Sequence, residues 1–518
     1  MERRDFIRIV ITGSLAGLAC GDRRRRDGAD TAPAPAIEAE TNVHCHAVRD
    51  GDGFRLPRPS RHVPVAIVGG GMAGLAAADA LGDLPFLLIE KEPGLGGNAT
   101  GGSWRDVGFS TGSSYNADAA VRDLAAGLGV PLLPIDSVDG LIVRDIYVPE
   151  FFTRGLVRSP YPQTVRDAFR RFLETYRDYD VDAEAARLDH LPFGEILGDY
   201  PQEVRDFFDS YGPNNWGARV RDTSAYIGIQ AASWMGGLEE GRFTGLQGFG
   251  GLTAALGVRV AGRGPDRVLT GASVVRIERD GDRVLVGYRR GTGTEGPGDP
   301  EGGAPPESGA PPLECVAADT VVVAAPKLIA RYLVAGLPRG QQDAMFHWRY
   351  IPYIVTSLCF DGVVHDGCFD VNVPAPDVMS DFVCADWVAR RGRGDRGRPN
   401  VLSCYMPQTE EDRSLLQDEA AVRALALRAL DRIDRWFPGA RGKCREIRVR
   451  LRGHPMHLST RGLITRWGPL ARRSFGPIHF AGTDGLGEVS DLAGALQTGR
   501  EAAGAVRRSL EAAARRRL

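Results

Sequence analysis

The run Gly69-Gly70-Gly71-Met72-Ala73-Gly74 sets three glycines at the spacing GxGxxG. A strand-length apolar run at 65–68 precedes it, with Pro64 suiting the strand's start, and an alanine-rich helical stretch at 75–81 follows. In that setting Gly69 permits the tight turn, Gly71 lets a phosphate approach the backbone, and Gly74 lets helix pack on strand. The helix start, with Met72 and Ala73 in its first turn, offers free N–H groups and partial positive charge to a pyrophosphate. A second short strand at 86–89 ends in Glu90, 21 residues after Gly69, with Lys91 next. An acid there accepts hydrogen bonds from a ribose 2′-hydroxyl and disfavours a 2′-phosphate. NADP is therefore disfavoured, and FAD or NAD remains.

Two further segments separate those cofactors. Gly94-Leu95-Gly96-Gly97-Asn98 follows the acid within a few residues, and a bound flavin runs on along such a loop, where glycine permits close approach. Late in the chain, residues 478–480 read as a strand and Gly482-Thr483-Asp484 as the turn after it. A small-residue helix then starts at Asp491-Leu492-Ala493. Such a strand, glycine, acid and helix unit closes a flavin site, so FAD is the expected cofactor.

These segments need a large scaffold. The chain has 518 residues, more than one compact core usually holds, so two or three packed lobes are expected. Hydrophobic residues are 43% and charged residues 25%, which excludes a mostly disordered or multi-span membrane chain. The charge balance of 64 basic against 66 acidic residues gives no reason to expect nucleic acid. Only Lys91, Lys327 and Lys443 are lysines, so arginine abundance carries no weight here. No CxxC pair occurs, and no metal site is expected; His44-Cys45-His46 lacks neighbours to complete one. Disulfides remain open, with buried thiols the plainer alternative.

Arg3-Arg4-Asp5-Phe6-Ile7 is a twin-arginine pair ahead of a short apolar stretch at 9–19. That order fits a twin-arginine export signal over 1–30 and a periplasmic protein, with the export machinery as a partner. This route carries folded proteins, often with cofactor bound. Gly17-Leu18-Ala19-Cys20 is similar to a lipoprotein cleavage box, with Gly17 where leucine is usual, which leaves a lipid anchor at Cys20 open. Residues 31–61 then read as a linker, rich in Ala and Pro over 31–40.

From about residue 62 to 505 the chain resembles the flavin-containing amine oxidase superfamily. The resemblance rests on the first glycine motif with Glu90, on Gly96-Gly97, and on Gly112-Ser113-Ser114-Tyr115, which matches a flavin-ring segment. It rests further on Val274, which matches a backbone contact to adenine, and on the strand-then-proline element at 321–326. The most specific stretch is the C-terminal one: Gly462-Leu463-Ile464-Thr465-Arg466-Trp467-Gly468, then Phe480-Ala481-Gly482-Thr483, then Gly494-Ala495 and Gly499 follow the monoamine-oxidase pattern. The glycine pair, residues 46–51 and the export signal are also similar to exported spermidine dehydrogenases.

The resemblance implies an α/β fold of two lobes, a Rossmann-like FAD-binding domain and a mixed α+β substrate domain. The FAD domain would comprise 62–148, 242–338 and 451–518, with a disordered loop at 291–312; the substrate domain would comprise 149–241, mostly helical, and 339–450. Helices are expected at 165–176, 204–208 and 418–437, the last with Val422, Leu425, Ala429, Ile433 and Trp436 on one face.

Departures from the family bear on chemistry. The family's lysine, linked through water to flavin N5, is absent from the strand at 353–360, where Val355 takes about its place. That casts doubt on fast reaction with oxygen and leaves a dehydrogenase open. The family's arginine after the glycine pair is Asn98. The aromatic pair that flanks the amine is missing: one position falls at Asp491, the other near His454-Pro455-Met456-His457. Asp491 could pair with a substrate ammonium or cap the last helix. His454 and His457 could take a proton from the amine or be plain loop histidines. Trp467 could pack beside the flavin or in the core. Lys327, just after Pro326, could be a rim charge or a solvated helix start, and reads as the latter. The expected function is FAD-dependent oxidation of a small-molecule amine (a primary amine, polyamine or amino acid) by hydride transfer to flavin N5. The alternative is a flavin desaturase or isomerase of an apolar, carotenoid- or lipid-like substrate.

Overall fold

The strand predicted at 65–68 runs over Arg61–Val68 and is central in a seven-stranded sheet. In this computed structural model, residues 32–42, 44–50, 53–236, 241–291, 311–390, 398–486 and 488–517 are described. The twin-arginine pair, Cys20 and most of the loop at 291–312 lie outside them. The strand order is Val268–Leu269, Phe86–Ile89, Arg61–Val68, Glu314–Val323, Arg283–Arg290, Ala272–Asp280, with Ile478–Phe480 on the far side of Glu314–Val323. Three separated pieces of chain thus build one sheet. Pro64 lies inside its strand rather than before it. Arg61–Val68 pairs with Phe86–Ile89 only from Val65 onward, so Pro64's missing N–H falls where no second neighbour asks for it. Helices Met72–Ala80, Gly250–Ala261 and Leu492–Arg517 contribute to the core on one face.

A second sheet has eight strands, in the order Ala36–Ala39, Cys444–His457, Tyr350–Phe360, Asn400–Pro407, Asp381–Cys384, Asp370–Asn372, Gly140–Val143 and Ile146–Val148. Tyr350–Phe360 is buried along its whole length. Its inner face, with Tyr353, Val355, Val383 and Tyr405, packs under helices Gln163–Tyr176, Gln202–Trp216 and Ala225–Gly236. Helices Gln163–Tyr176 and Gln202–Trp216 interlock through edge-to-face rings, such as Phe169 on Phe207 at 5.9 Å. Helix Glu419–Trp436 is capped by Asp418, whose carboxylate accepts from Ala421 N, and it buries Val422, Ala426, Ala429, Leu430 and Ile433.

Three boundaries differ from expectation. Gly140–Val143 and Ile146–Val148, assigned to the FAD lobe from sequence, pair within the substrate sheet. The turn joining them is Arg144-Asp145, both at positive φ (50° and 64°), the geometry of a type I′ hairpin, but without the glycine that would announce it. Strand Cys444–His457 carries the substrate sheet past residue 450, through Leu451 and Arg452 opposite Ile354 and Tyr353. The linker at 31–61 is also not free chain. Ala36–Ala39 pairs in parallel with Arg448–Leu451 as the sheet's edge strand, and a short helix covers Cys45–Asp50. No disulfide forms among the described cysteines, and Cys315, Cys359, Cys368, Cys384, Cys404 and Cys444 are buried thiols.

Candidate functional site

The first glycine motif has the predicted geometry. Gly71 is extended and precedes helix Met72–Ala80 with no side-chain cap, so first-turn N–H groups remain open. A Cβ on Gly74 would lie 1.9 Å from Gly69 O, which leaves no room for any larger residue. Met72 and Ala73 bury their side chains in the core, so only their backbone can face a ligand. Glu90 is buried at the end of its strand, and its carboxylate accepts from Gly70 N at 2.5 Å and Glu92 N at 2.8 Å. Burial raises its pKa, and those two N–H groups oppose the shift. Two acceptor directions are left for hydroxyls. The glycine pair crosses directly above: Gly96 N donates to Gly70 O at 2.9 Å, and a Cβ on Gly97 would lie 2.9 Å from Gly71 Cα. Val274 belongs to strand Ala272–Asp280, whose first residue donates to Glu90 O at 2.9 Å. Open N–H groups, a buried acid with spare acceptors and a roof that admits only glycine fit the ADP half of FAD.

Two predicted contacts turn elsewhere. The Lys91 ammonium is taken by Thr41 O at 2.8 Å and Glu92 at 2.5 Å. Asn98 donates to Pro455 O at 2.7 Å and accepts from Arg452 at 3.3 Å, so its amide ties the loop to the substrate sheet. Arg452 is the residue that sequence reasoning missed. Buried to 2% exposure, its guanidinium donates to Gly97 O (3.0 Å), Thr100 Oγ1 (2.7 Å) and Thr111 O (3.2 Å). The arginine expected at position 98 is absent, yet a guanidinium reaches the same loop from the opposite lobe.

The segment Gly112-Ser113-Ser114 is fixed between the lobes. Ser113 N donates to Asn98 O at 3.2 Å, Thr244 Oγ1 donates to Ser114 O at 2.5 Å, and Tyr405 Oη donates to Gly112 O at 2.9 Å. At the C-terminal unit, Gly482 has φ +153°, and Thr498 Oγ1 donates to its carbonyl at 2.9 Å. Thr483 lies between it and Asp484. Asp484 is sealed from solvent, paired to Lys327 Nζ at 2.7 Å and bonded to Tyr350 Oη. Burial raises its pKa, but the Lys327 charge and the hydrogen bonds outweigh that and hold it below the ordinary value. Lys327 is therefore a core ion, not a solvated helix start. Leu492 and Ala493 open the last helix, which crosses helix Met72–Ala80 so closely that a Cβ on Gly499 would lie 2.3 Å from Ala73 O.

The four catalytic candidates are each held by contacts of their own. Asp491 caps the last helix, accepting from Gly494 N at 2.6 Å, and burial raises its pKa. His454 lies on strand Cys444–His457, not in a loop, with its ring 6.1 Å from that of Tyr350. Burial, then Arg413, lowers it to about 4, so it stays neutral and is too weak a base to hold an amine's proton. His457 spends both ring nitrogens, on Ser490 Oγ and Glu488 O, each at 2.7 Å. Trp467 stacks on His347, which ends helix Arg339–Phe346, at 3.8 Å and lies under the Arg466 guanidinium at 4.1 Å.

A different polar group lies on the inner face of the substrate sheet. Val355, Tyr405, Asp381 and Asn372 form one cross-strand row, with Asp370 one pleat away opposite Val383. Asp370 and Asp381 are 4% and 2% exposed, and one Asp370 oxygen and the Asn372 amide nitrogen have no partner. Burial pushes Asp381 up to about 7, and burial with the neighbouring Asp381 charge pushes Asp370 well above its ordinary value. Nearby, Arg242 pairs with Asp139 at 2.8 Å and lies 5.2 Å above the Tyr115 ring. Carboxyl groups, not apolar side chains alone, thus lie behind the segment matched to the flavin ring.

Comparison with protein families matches residues 72–507 to flavin containing amine oxidoreductase. Among solved structures, putrescine oxidase bound to putrescine is 17% identical with a TM-score of 0.63, covering 86% of this chain and 99% of that one. Cyclohexylamine oxidase from Brevibacterium oxydans IH-35A is 18% identical with a TM-score of 0.62, covering 87% and 99%. An oxidoreductase from Methanosarcina mazei is 13% identical with a TM-score of 0.59, covering 84% and 99%. At these identities the structures share the fold. Comparison with curated proteins returns no match.

Proposed function

The chain belongs to the flavin-containing amine oxidoreductase family and is an FAD-dependent oxidoreductase, and on that premise we propose that it oxidises an amine whose positive charge is received on the inner face of the substrate sheet. FAD, when bound, would supply the acceptor, at flavin N5, for a hydride from the carbon beside the substrate nitrogen. The open N–H groups of residues 71–74 and the Glu90 carboxylate would hold its ADP half, and Gly96-Gly97 with Gly112–Ser114 would receive the remainder. The observation that carries the amine reading is the buried pair of Asp381, in the row that contains Val355, and Asp370, one pleat away.

Two adjacent buried carboxyls share protons as a pair, because both cannot ionise cheaply in the same place. An arriving ammonium lowers the cost of ionising them and is itself desolvated only where a counter-charge waits. Tyr405 anchors Gly112 over this face, and the aromatic helices cover it, so water is excluded from the reacting carbon. An apolar desaturase substrate would bury those carboxyls against nothing that answers their charge, and the amine is favoured for that reason.

The test is anaerobic mixing of the FAD-loaded protein with a panel of mono-, di- and polyamines and with apolar polyenes. The expected result is loss of the oxidised flavin band with at least one amine. Bleaching by a polyene and by no amine would sink the proposal.

The export assignment belongs to the same proposal. Arg3-Arg4, the apolar stretch after it and Cys20 support a periplasmic, lipid-anchorable protein. Cell fractionation of the native chain against an Arg3→Lys, Arg4→Lys variant tests export, and detergent partition against Cys20→Ala tests the anchor. Cytoplasmic retention of both chains would overturn the export reading.

A further inference from the structure

The edge strand Ala36–Ala39 delivers Glu40 and Thr41 to the two backbone segments that frame the nucleotide site. Thr41 donates through N and Oγ1 to the Glu92 carboxylate, at 2.9 and 3.0 Å, and its carbonyl accepts from Lys91 at 2.8 Å. Glu92 N in turn donates to the Glu90 carboxylate at 2.8 Å, and Glu92 O accepts from Gly271 N at 2.9 Å. One residue earlier, Glu40 accepts from Gly453 N at 3.0 Å and from Arg452 at 3.4 Å. Arg452 is the ion that holds the glycine-pair loop through Gly97, Asn98 and Thr100. Burial pulls the Arg452 guanidinium down, and the Glu40 charge is the first influence opposing it. Glu40 itself is held low, against its burial, by Lys91 and Arg452.

We propose that residues 36–41 are a positioning strap of the FAD site: docking of the strap and binding of FAD stabilise each other through Glu40–Arg452–Gly97 on one side and Thr41–Glu92–Glu90 on the other. Undocked, the strap leaves the buried Arg452 charge without Glu40, and Glu92 without Thr41. Both the loop that roofs the cofactor and the strand end that presents the ribose acid then lose their fixed position. By linkage, whatever FAD gains from a docked strap, the strap gains from FAD. The inference rests on the FAD site and holds whatever the substrate is.

Hydrogen exchange of the full chain, with FAD removed and with FAD restored, tests it without any substitution. Amides 36–41 should exchange about tenfold more slowly in the loaded protein, a coupling of ordinary size. Glu40→Gln should weaken FAD binding by about the same factor. Asp167→Asn should leave FAD binding unchanged, since Asp167 lies on the surface of helix Gln163–Tyr176, 49% exposed and paired with Arg170. A merely structural strand would lower stability without making its own protection depend on FAD. Equal exchange of 36–41 with and without FAD would overturn the proposal, even if Glu40→Gln failed to fold.

Discussion

Lys327 and Asp484 face each other at 2.7 Å with about 1% of each side chain exposed, and they join the end of the strand at 314–323 to the last flavin turn. Removing one partner of a buried pair strands the other charge, at a cost of about 3–5 kcal/mol. Lys327→Met should lower unfolding free energy by that order in denaturant titrations of the FAD-loaded protein. Because Asp484 is held below its ordinary pKa, its contribution is present above the unfolded carboxylate value and is lost as pH falls through the folded one. The double change with Asp484→Asn should cost less than the sum of the two, since the residues act as a unit.

His365, His454 and His479 are each lowered to about 4, with burial the largest cause. In the unfolded chain they titrate near 6.5. Between those values the unfolded state binds more protons, so stability rises with pH across the window and falls on acidification from about 6.5 to 4. The full effect is about 3 kcal/mol per histidine. His454→Gln should flatten the pH profile of unfolding free energy in that window; an unchanged slope would refute the assignment.

The contact of Gly499 with Ala73 O predicts the effect of one methyl group. Gly499→Ala must push the last helix off helix Met72–Ala80, costing about 1–3 kcal/mol and loosening the turn at 69–74. The purified variant should carry less flavin per chain, read from its absorbance ratio, while Gly251→Ala, where a Cβ meets nothing within 4 Å, should keep the native ratio.

Asp381→Asn keeps the shape of the row but removes a charge. Flavin content should be unchanged, and kcat/KM for the best amine should fall by about 30-fold or more, in keeping with the 2–5 kcal/mol lost when one member of a buried charge contact is truncated. The acid limb of the native pH profile, expected near 7 from Asp381, should move or vanish in the variant.

Val355 is 2% exposed, packs in the core under the aromatic helices and carries no proton-transferring group at the position matched to the family's lysine. Substrate-reduced protein should therefore reoxidise more slowly in air than with an added quinone or dye. Stopped-flow reoxidation rates measure the difference, and faster reaction with oxygen would contradict it.

What could be read from the sequence was what the local backbone requires. Gly69, Gly74 and Gly97 sit where a Cβ meets main chain, and such positions leave glycine at fixed spacing. Glu90 and the helices at 163–176 and 419–436 were legible for a similar reason, since a strand end and a 3.6-residue period are short-range patterns. Arg452 was not legible: it is one arginine among many, and its partner Glu40 lies 412 residues away. Lys327 after a proline looks like surface until its partner, 157 residues on, is brought beside it. The edge strand at 36–39 pairs across a similar distance, so its alanine- and proline-rich composition reads as tether. Asp370 and Asp381 have no sequence signature of their own, because only the pairing of their strands makes them neighbours.

The crossing of the last helix over helix Met72–Ala80 has a temporal consequence. A ribosome issues residue 69 long before residue 499, and the turn that cradles the pyrophosphate lacks its backing until both are out. Through most of translation the emerging chain offers half a cradle and a strand at 314–323 with the end of one edge open, because its partner at 478–480 is still unmade. Cofactor capture is thus deferred to the close of synthesis, and the interval before it is when the chain most needs protection from its own exposed edges.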